Sequence, residues 1–265
     1  MSLLKSSRTA FRALTTLALM LFGMSLAHAT PTYLRSTVAA PWGQSTNEAA
    51  MDSVFGAGSW NDFRYETVDT GALFSGTDFI FMEGGDGTAN EMEAFITANS
   101  ASIGSFLNAG GSIFFNAAPN EGNGMNLLPG VDLVYGPGPF CGSDCNATGP
   151  HDIFTDLGFG LPGTSFGGTS FSHAIITGAV SSLIEDLSGN TLLGELAVGN
   201  GLALFGGMTT TNFHSPQPGA AILRQNILAY AANAVVTAEV PAPATLALAL
   251  LGLAAVGASR RKQAA

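Results

Sequence analysis

One stretch of the chain combines carboxylates with a turn able to cradle a ligand: Glu83-Gly84-Gly85-Asp86-Gly87-Thr88, followed by Ala89-Asn90-Glu91. Glycine-freed backbone N–H groups at the start of a helix can hold an anion such as phosphate. The carboxylates could act in acid–base chemistry or bind a hard cation. The simplest role is a strand-to-helix turn, with glycines permitting positive φ and Thr88 or Asn90 capping the helix. Glu83, Gly84, Gly85, Asp86 and Thr88 are therefore the candidate ligand-binding residues.

The other polar candidates are scattered. His151 and Asp152 follow Gly149-Pro150, and His173 starts a short apolar run. Together with Glu83 or Asp86 they could form a small metal site, although their spacing matches no ligand pattern and loop histidines more often bond to backbone. Asn120-Glu121-Gly122-Asn123-Gly124 and Asp144 offer oxygen ligands for calcium without the alternating aspartates of a calcium loop. Gly-x-Ser-x-Gly does not occur, and no hydrolase triad or other catalytic set is assigned. No cofactor is expected beyond Ca2+. The two cysteines, Cys141 and Cys145, are four positions apart in Cys-Gly-Ser-Asp-Cys. In an oxidising compartment the first reading is a local disulfide stiffening a glycine-rich excursion.

The run Gly84-Gly85-Asp86-Gly87-Thr88 with Asn90-Glu91 resembles the Gly-Gly-Asp-Gly-Thr signature of diacylglycerol and NAD kinases, which implies a nucleotide phosphate site. The glycine-rich phosphate motif those kinases carry upstream has no counterpart near Ala40-Pro41, and basic residues to hold a triphosphate are nearly absent. The turn reading is preferred.

These residues need a scaffold, and the pattern supplies one. Tyr33–Ala40 and Phe63–Val68 read as strands, and Thr46–Phe55 as a helix with Thr46 at its cap. Asp78–Met82 is a short apolar run of the kind buried in a parallel sheet. From Ala89 to Asn108, Met92, Phe95, Ile96, Ile103, Phe106 and Leu107 follow a helical period, and Gly110-Gly111 stops it. Ser112–Ala117 is the next buried strand, completing a strand–helix–strand unit. Glu121–Gly168 reads as an irregular Gly/Pro-rich insertion. Ser172–Ile176 reads as a strand, Leu192–Val198 and Leu202–Phe205 as a hairpin around Gly199-Asn200-Gly201, and Ala220–Val236 as a closing helix. The expected class is α/β, a mostly parallel sheet with helices on both faces.

This order, through Thr77–Met82, Gly110-Gly111, Ser112–Asn116, Gly199–Gly207 and Asn226–Tyr230, resembles the class I glutamine-amidotransferase-like, flavodoxin-like domains. The enzymes of that family carry a nucleophilic cysteine after the strand equivalent to Ser112–Phe115. Here Asn116-Ala117-Ala118-Pro119 stands there, so the resemblance implies the fold without the activity.

The ends carry six of the nine basic residues. Lys5, Arg8 and Arg12 precede an apolar stretch, and Ala27-His28-Ala29 offers signal peptidase a site before Thr30. Residues 1–29 read as a signal peptide and 30–238 as the folded domain. Residues 239–265 form a tail: Val240-Pro241-Ala242-Pro243, an uncharged apolar stretch over 244–258, then Arg260-Arg261-Lys262. Fifteen helical residues reach about 23 Å, and with their flanks they can cross a bilayer with the basic cluster inside. This tail resembles the PEP-CTERM sorting signal of Gram-negative bacteria, whose motif is Val-Pro-Glu-Pro, with Ala242 replacing the glutamate. The resemblance implies processing by exosortase and association with exopolysaccharide or biofilm matrix at the cell surface. Over residues 30–239, three arginines face all nineteen acidic residues, a formal charge of −16. Such a surface repels nucleic acid and anionic lipid. The expected function is that of an exported surface or matrix protein with a non-catalytic binding or structural module. The alternatives are an extracytoplasmic, carbohydrate-active hydrolase and a calcium-dependent adhesive module.

Overall fold

The computed structural model describes residues 29–140, 145–166, 171–210 and 219–237. The signal-peptide residues before Ala29, the sorting tail with its apolar stretch over 244–258, and Cys141 lie outside them. Among the described residues no helix is long and apolar enough to cross a membrane.

The chain builds a mixed α/β domain around one curled sheet. Strands β1 (Thr32–Arg35), β2 (Asn61–Arg64), β3 (Phe79–Glu83), β4 (Ser112–Asn116) and β11 (Gly201–Gly206) run parallel in the order β2-β1-β3-β4-β11. From β11 the sheet turns antiparallel through β10 (Thr191–Val198), β8 (Ser172–Gly178), β6 (Val131–Phe140) and β5 (Gly124–Leu128). A branch adds β9 (Ser181–Asp186) on β10 and β7 (Cys145–Ala147) on β9. The mostly parallel sheet expected from sequence is thus only the first half. Residues 124–147, expected to be an irregular insertion, contribute three strands to the second half. Alternation is present there, with Val131 and Leu133 buried and Asp132 and Val134 exposed. It is interrupted by Gly136 and Gly138 and by a register shift between Tyr135 and Phe140.

Period-2 alternation in the parallel strands feeds two apolar clusters. Register aligns Tyr33, Phe81, Phe114 and Leu204. Tyr33 stacks on Phe81 and Phe81 on Phe114, each pair with centroids 5.0 Å apart. This row packs with α1 (Thr46–Phe55) and α4 (Gly219–Thr237) through Met51, Leu223 and Ile227. The intervening residues, Leu34, Ile80, Met82, Ile113, Phe115 and Phe205, pack with α2 (Thr70–Gly76) and α3 (Ala89–Asn108) through Leu73, Met92, Phe95, Ile103 and Phe106.

Helix α3 ends where its glycine stop predicts: Gly110 has φ 110° and donates its N–H to the Leu107 carbonyl. The hairpin joining β10 to β11 closes against this same helix end. A Cβ on Gly201 would lie 2.1 Å from the Gly111 carbonyl oxygen and 2.4 Å from that of Leu107. Both obstacles are backbone and cannot swing away. Gly201→Ala is expected to destabilise the domain by about 2 kcal/mol, read as a lower urea midpoint at unchanged slope. A midpoint equal to wild type would show that the α3–β11 junction can slide.

Candidate functional site

The row of rings on the α1/α4 face ends in polar residues. Two positions beyond Phe81 and Phe114, and therefore on the same face, stand Glu83 and Asn116, paired in register, with Gly206 next across from Asn116. A side chain at Gly206 would collide with Asn116 Oδ1 at 2.5 Å, so this glycine leaves room for the amide. These are the C-terminal ends of parallel strands, where open α/β sheets place ligands.

Glu83 is 1% exposed. Its carboxylate accepts from Asn116 Nδ2 (3.1 Å), Asn47 Nδ2 (3.2 Å), Thr210 Oγ1 and the Gly85 backbone N–H. Its main-chain carbonyl accepts from the Tyr65 hydroxyl at 3.1 Å. Burial pushes the carboxyl up to about 7, and the donors from Thr210, Asn116, Gly85 and Asn47 hold it from rising further. Asn116 also binds the chain after β11: its Nδ2 donates to the Met208 carbonyl at 2.7 Å, and its Oδ1 accepts from the Met208 N–H at 3.2 Å.

Arg224 of α4 closes the cluster. It is 8% exposed, and its Nη1 donates to Thr46 Oγ1 (3.1 Å), Asn47 Oδ1 (3.2 Å) and the Thr210 carbonyl. Burial brings its guanidinium down to about 10 against the pull of Glu83, so it stays charged at neutral pH. Arg224 reaches Glu83 through Asn47 and Thr210. The Tyr33 hydroxyl accepts from Asn47 at 3.2 Å, and burial followed by the charge of Glu83 pushes this phenol well up. Six elements or connections thus meet at one buried acid: α1, β1, β3, β4, the segment after β11, and α4.

The glycine turn is built differently from a phosphate cradle. The Gly84 N–H donates to the Asn116 carbonyl (2.9 Å), the Asp86 N–H to the Ala118 carbonyl (3.0 Å), and the Gly85 N–H to Glu83 itself. Thr88 occupies the cap position of α3 but makes no side-chain cap; its hydroxyl donates back to the Gly85 carbonyl at 2.8 Å. The Asn90 N–H is taken by Glu121 Oε1 at 3.2 Å, and Asp86 Oδ1 accepts from Asn120 Nδ2 at 2.8 Å. Asn120 and Glu121, read as calcium ligands, are engaged in stapling this turn. Thr46, expected as the cap of α1, is instead its first helical residue and holds Arg224.

Above the acid lies a strained rim. Trp42 (φ 54°) and Asp86 (φ 56°) are the two non-glycine residues with positive φ among the described residues, and both adjoin Gly85. A Cβ on Gly85 would meet Glu83 Oε1 at 2.7 Å and Trp42 Nε1 at 3.0 Å. Trp42 sits edge-on to His173, with centroids 4.7 Å apart. His173 therefore belongs to this rim. His151 does not: it packs on Tyr230 (4.7 Å between centroids) and approaches Glu195 at 3.4 Å, beside the short helical turn at Asp152–Phe154 that contacts α4. The metal set proposed from His151, Asp152 and His173 is split between two places. No group of three His, Cys, Asp or Glu side chains suited to a metal forms among the described residues. Cys145 is fully buried on β7 and carries no free thiol.

Sequence reasoning named Glu83 but not its partners Asn47, Asn116, Thr210 and Arg224. The one available signal was Arg224, a lone charge among the apolar residues Ile222, Leu223, Ile227 and Leu228 of a closing helix.

Comparison with known proteins adds one decisive match at the other end of the chain. Residues 239–262 match the PEP-CTERM protein-sorting motif. That motif marks an exported protein sorted through exosortase to the cell surface. A search of curated proteins finds no match. Among solved structures, a protein described as a GMP synthase component from Thermoplasma acidophilum is similar at TM-score 0.50 and 13% identity, over 77% of this chain and 95% of that one. The exo-β-1,4-mannosidase Op5Man5 from Opitutaceae bacterium strain TAV5 aligns at TM-score 0.46 and 13% identity, over 78% of this chain and 36% of that one. A β-galactosidase from Bacillus circulans sp. alkalophilus aligns at TM-score 0.44 and 12% identity, over 78% and 31%. The chain therefore spans about a third of each of these two glycosidases, and at such identities the likeness concerns fold alone.

Proposed function

We propose that this PEP-CTERM protein is delivered to the cell surface or exopolysaccharide matrix, where its α/β domain acts as a non-catalytic binding or structural module. The match over residues 239–262 carries the proposal. A flavodoxin-like, amidotransferase-like origin for the domain is supported by the parallel half of the sheet and by the likeness to the GMP synthase component. The non-catalytic reading is supported by what stands where such an enzyme carries its nucleophile: Asn116, Ala117 and Ala118, all fully buried, with the neighbouring Glu83 occupied by its own donors.

A second reading, an extracytoplasmic hydrolase, is favoured by one observation. A carboxyl near 7 is poised for general acid–base catalysis, and Glu83 is such a group. Its seal is the argument against it, because a catalytic acid must reach its substrate.

The test is intact-mass analysis with cell fractionation in the host, with and without its exosortase. We expect loss of the tail near Val240–Pro243 and release from the inner membrane in the first strain, and an uncut membrane-associated chain in the second. An uncut tail in both would refute sorting.

A further inference from the structure

We propose that signal cleavage gives the domain a structural ammonium: the new α-amino group of Thr30, paired with the Asp78 carboxylate at the foot of β3. The proposal rests on the cleavage site expected between Ala29 and Thr30, and it is independent of the Glu83 cluster. Hydrolysis of that peptide bond leaves a carboxylate on Ala29, which departs with the leader. The amine stays on Thr30 and takes up a proton near neutral pH.

The fold holds the two partners side by side. In the uncut chain the Ala29 N–H donates to Asp78 Oδ2 at 3.2 Å. That donor is lost with Ala29, and the Thr30 nitrogen is the next one along the chain. Thr30 is tied in place. Its carbonyl accepts from Thr77 Oγ1 at 2.7 Å, and the Pro31 carbonyl accepts from the Asn61 N–H at 2.9 Å. Thr32 is fully buried in β1, in register with Asn61 of β2 on one side and Ile80 of β3 on the other. Asp78 is fixed from β4, because its carbonyl accepts from the Ser112 N–H at 2.9 Å. Cleavage thus exchanges a neutral N–H beside the carboxylate for a charged group with more donors, and charge-assisted hydrogen bonds are roughly twice as strong as neutral ones.

Charge bookkeeping singles out both partners. Lysine is absent over residues 30–239, so the Thr30 terminus is the one primary ammonium of that region. The arginines are engaged elsewhere: Arg35 with Glu48 and Asp62, Arg64 with Asp62, and Arg224 with Thr46, Asn47 and Thr210. The other acids on the neighbouring elements are also taken. Asp62 holds the two arginines, Asp52 accepts from Trp60 Nε1 at 2.8 Å, Asp69 accepts from the Ala72 N–H at the start of α2, and Glu83 lies at the opposite end of β3. Asp78 is the acid placed at the terminus.

The experiment purifies the exported protein from its host and labels it with an amine-reactive ester, which attacks only the unprotonated amine, from about pH 6 to about pH 10. Trypsin then releases the peptide Thr30–Arg35, whose labelled fraction reports the terminal amine alone. We expect that amine to titrate about half a pH unit or more higher in the folded chain than in the same chain unfolded in urea, about a threefold shift toward the ammonium. Asp78→Asn should lose most of this rise, and Asp78→Glu should keep it. Glu93→Gln, which removes an exposed charge from α3, should leave it unchanged. Equal titration in folded and unfolded wild type overturns the pair, and this readout needs no variant. So does an unchanged rise in Asp78→Asn, or an equal drop in Glu93→Gln, which would mark the general field of an acidic domain. A first peptide that begins elsewhere overturns cleavage before Thr30 and the pair with it; its mass shows this before any titration, so the two failures are told apart.

Discussion

Raising the pH from about 4.5 to about 7 is expected to destabilise the folded chain by about 3 kcal/mol through Glu83 alone. The sign follows from linkage. Burial raises the Glu83 carboxyl from 4.5 to about 7 in the folded state, so between these values the native chain holds a proton that the unfolded chain has released. Stability from the protonated form is complete below 4.5 and is lost as pH rises through about 7. Asp62 and Glu195 act the other way. For Asp62, burial raises the carboxyl but bonds and charges from Arg35 and Arg64 lower it further; for Glu195, the bond from His151 lowers it. Their stabilisation is lost as pH falls through their depressed values, below the Glu83 window. Urea titrations across this range in wild type and in Glu83→Gln separate the effect from general repulsion in an acidic domain. The variant lacks the step, and because an amide cannot accept from every donor around it, it is also less stable throughout. Equal slopes in the two proteins would show that Glu83 is ionised in the native state at acidic pH.

Some of this architecture is legible in the sequence because local patterns are strong there. The run Asp78–Met82, the 3.6-residue period of α3, its Gly110 stop and the Gly199-Asn200-Gly201 turn each follow from the constraints of neighbouring residues. In the antiparallel half β8 and β10 are legible as strands, while β5, β6, β7 and β9 are not, for a physical reason. Strand β7 is short, β6 is interrupted by Gly136 and Gly138, and β6 owes its pairing with β8 to residues some forty positions along the chain. The site is less legible still. Asn47, Asn116 and Thr210 are residue types that belong equally to caps and turns, and only their meeting in space makes them donors to one acid. Glu83 stood out because it lies beside glycines, a conspicuous neighbour but the wrong reason. The sequence marks Gly84–Thr88 as a strand-to-helix turn and, secondarily, as a candidate ligand site; the fold uses that turn to seal the carboxyl, with Gly85 providing both a donor and the absence of a side chain.

The same cluster explains how a domain with one strongly buried acid keeps its helices in place. Helices α1 and α4 meet the sheet through apolar side chains, but apolar contact is non-directional. The bonds from Arg224 to Thr46, Asn47 and Thr210 fix where α4 lies relative to α1 and to the segment after β11. These acceptors belong to two different parts of the chain, so one guanidinium ties both to the closing helix. Glu83 does the same for β3, β4 and α1.

Arg224→Met is expected to cost about 3 kcal/mol or more, since it leaves the Asn47 Oδ1 and Thr210 carbonyl acceptors without their donor in a dry interior. Loss of packing would give a similar figure, so a second readout is needed. The charge of Glu83 favours the cation at Arg224, and the reverse holds with equal strength. Removing the guanidinium therefore makes Glu83 harder to ionise and moves its stability step above about 7. Arg224→Lys keeps the charge while losing the planar fork, so it should give up part of the stability and leave the step where it is in wild type. Urea midpoints of the three proteins as a function of pH decide the matter. A step at the same pH in Arg224→Met and wild type would mean that Glu83 does not sense Arg224. A loss below about 1 kcal/mol would mean that water or a neighbouring donor replaces the guanidinium. A displaced step with a large loss in Arg224→Met, and an undisplaced step in Arg224→Lys, would establish the pair as one electrostatic unit that joins the closing helix to the strand ends.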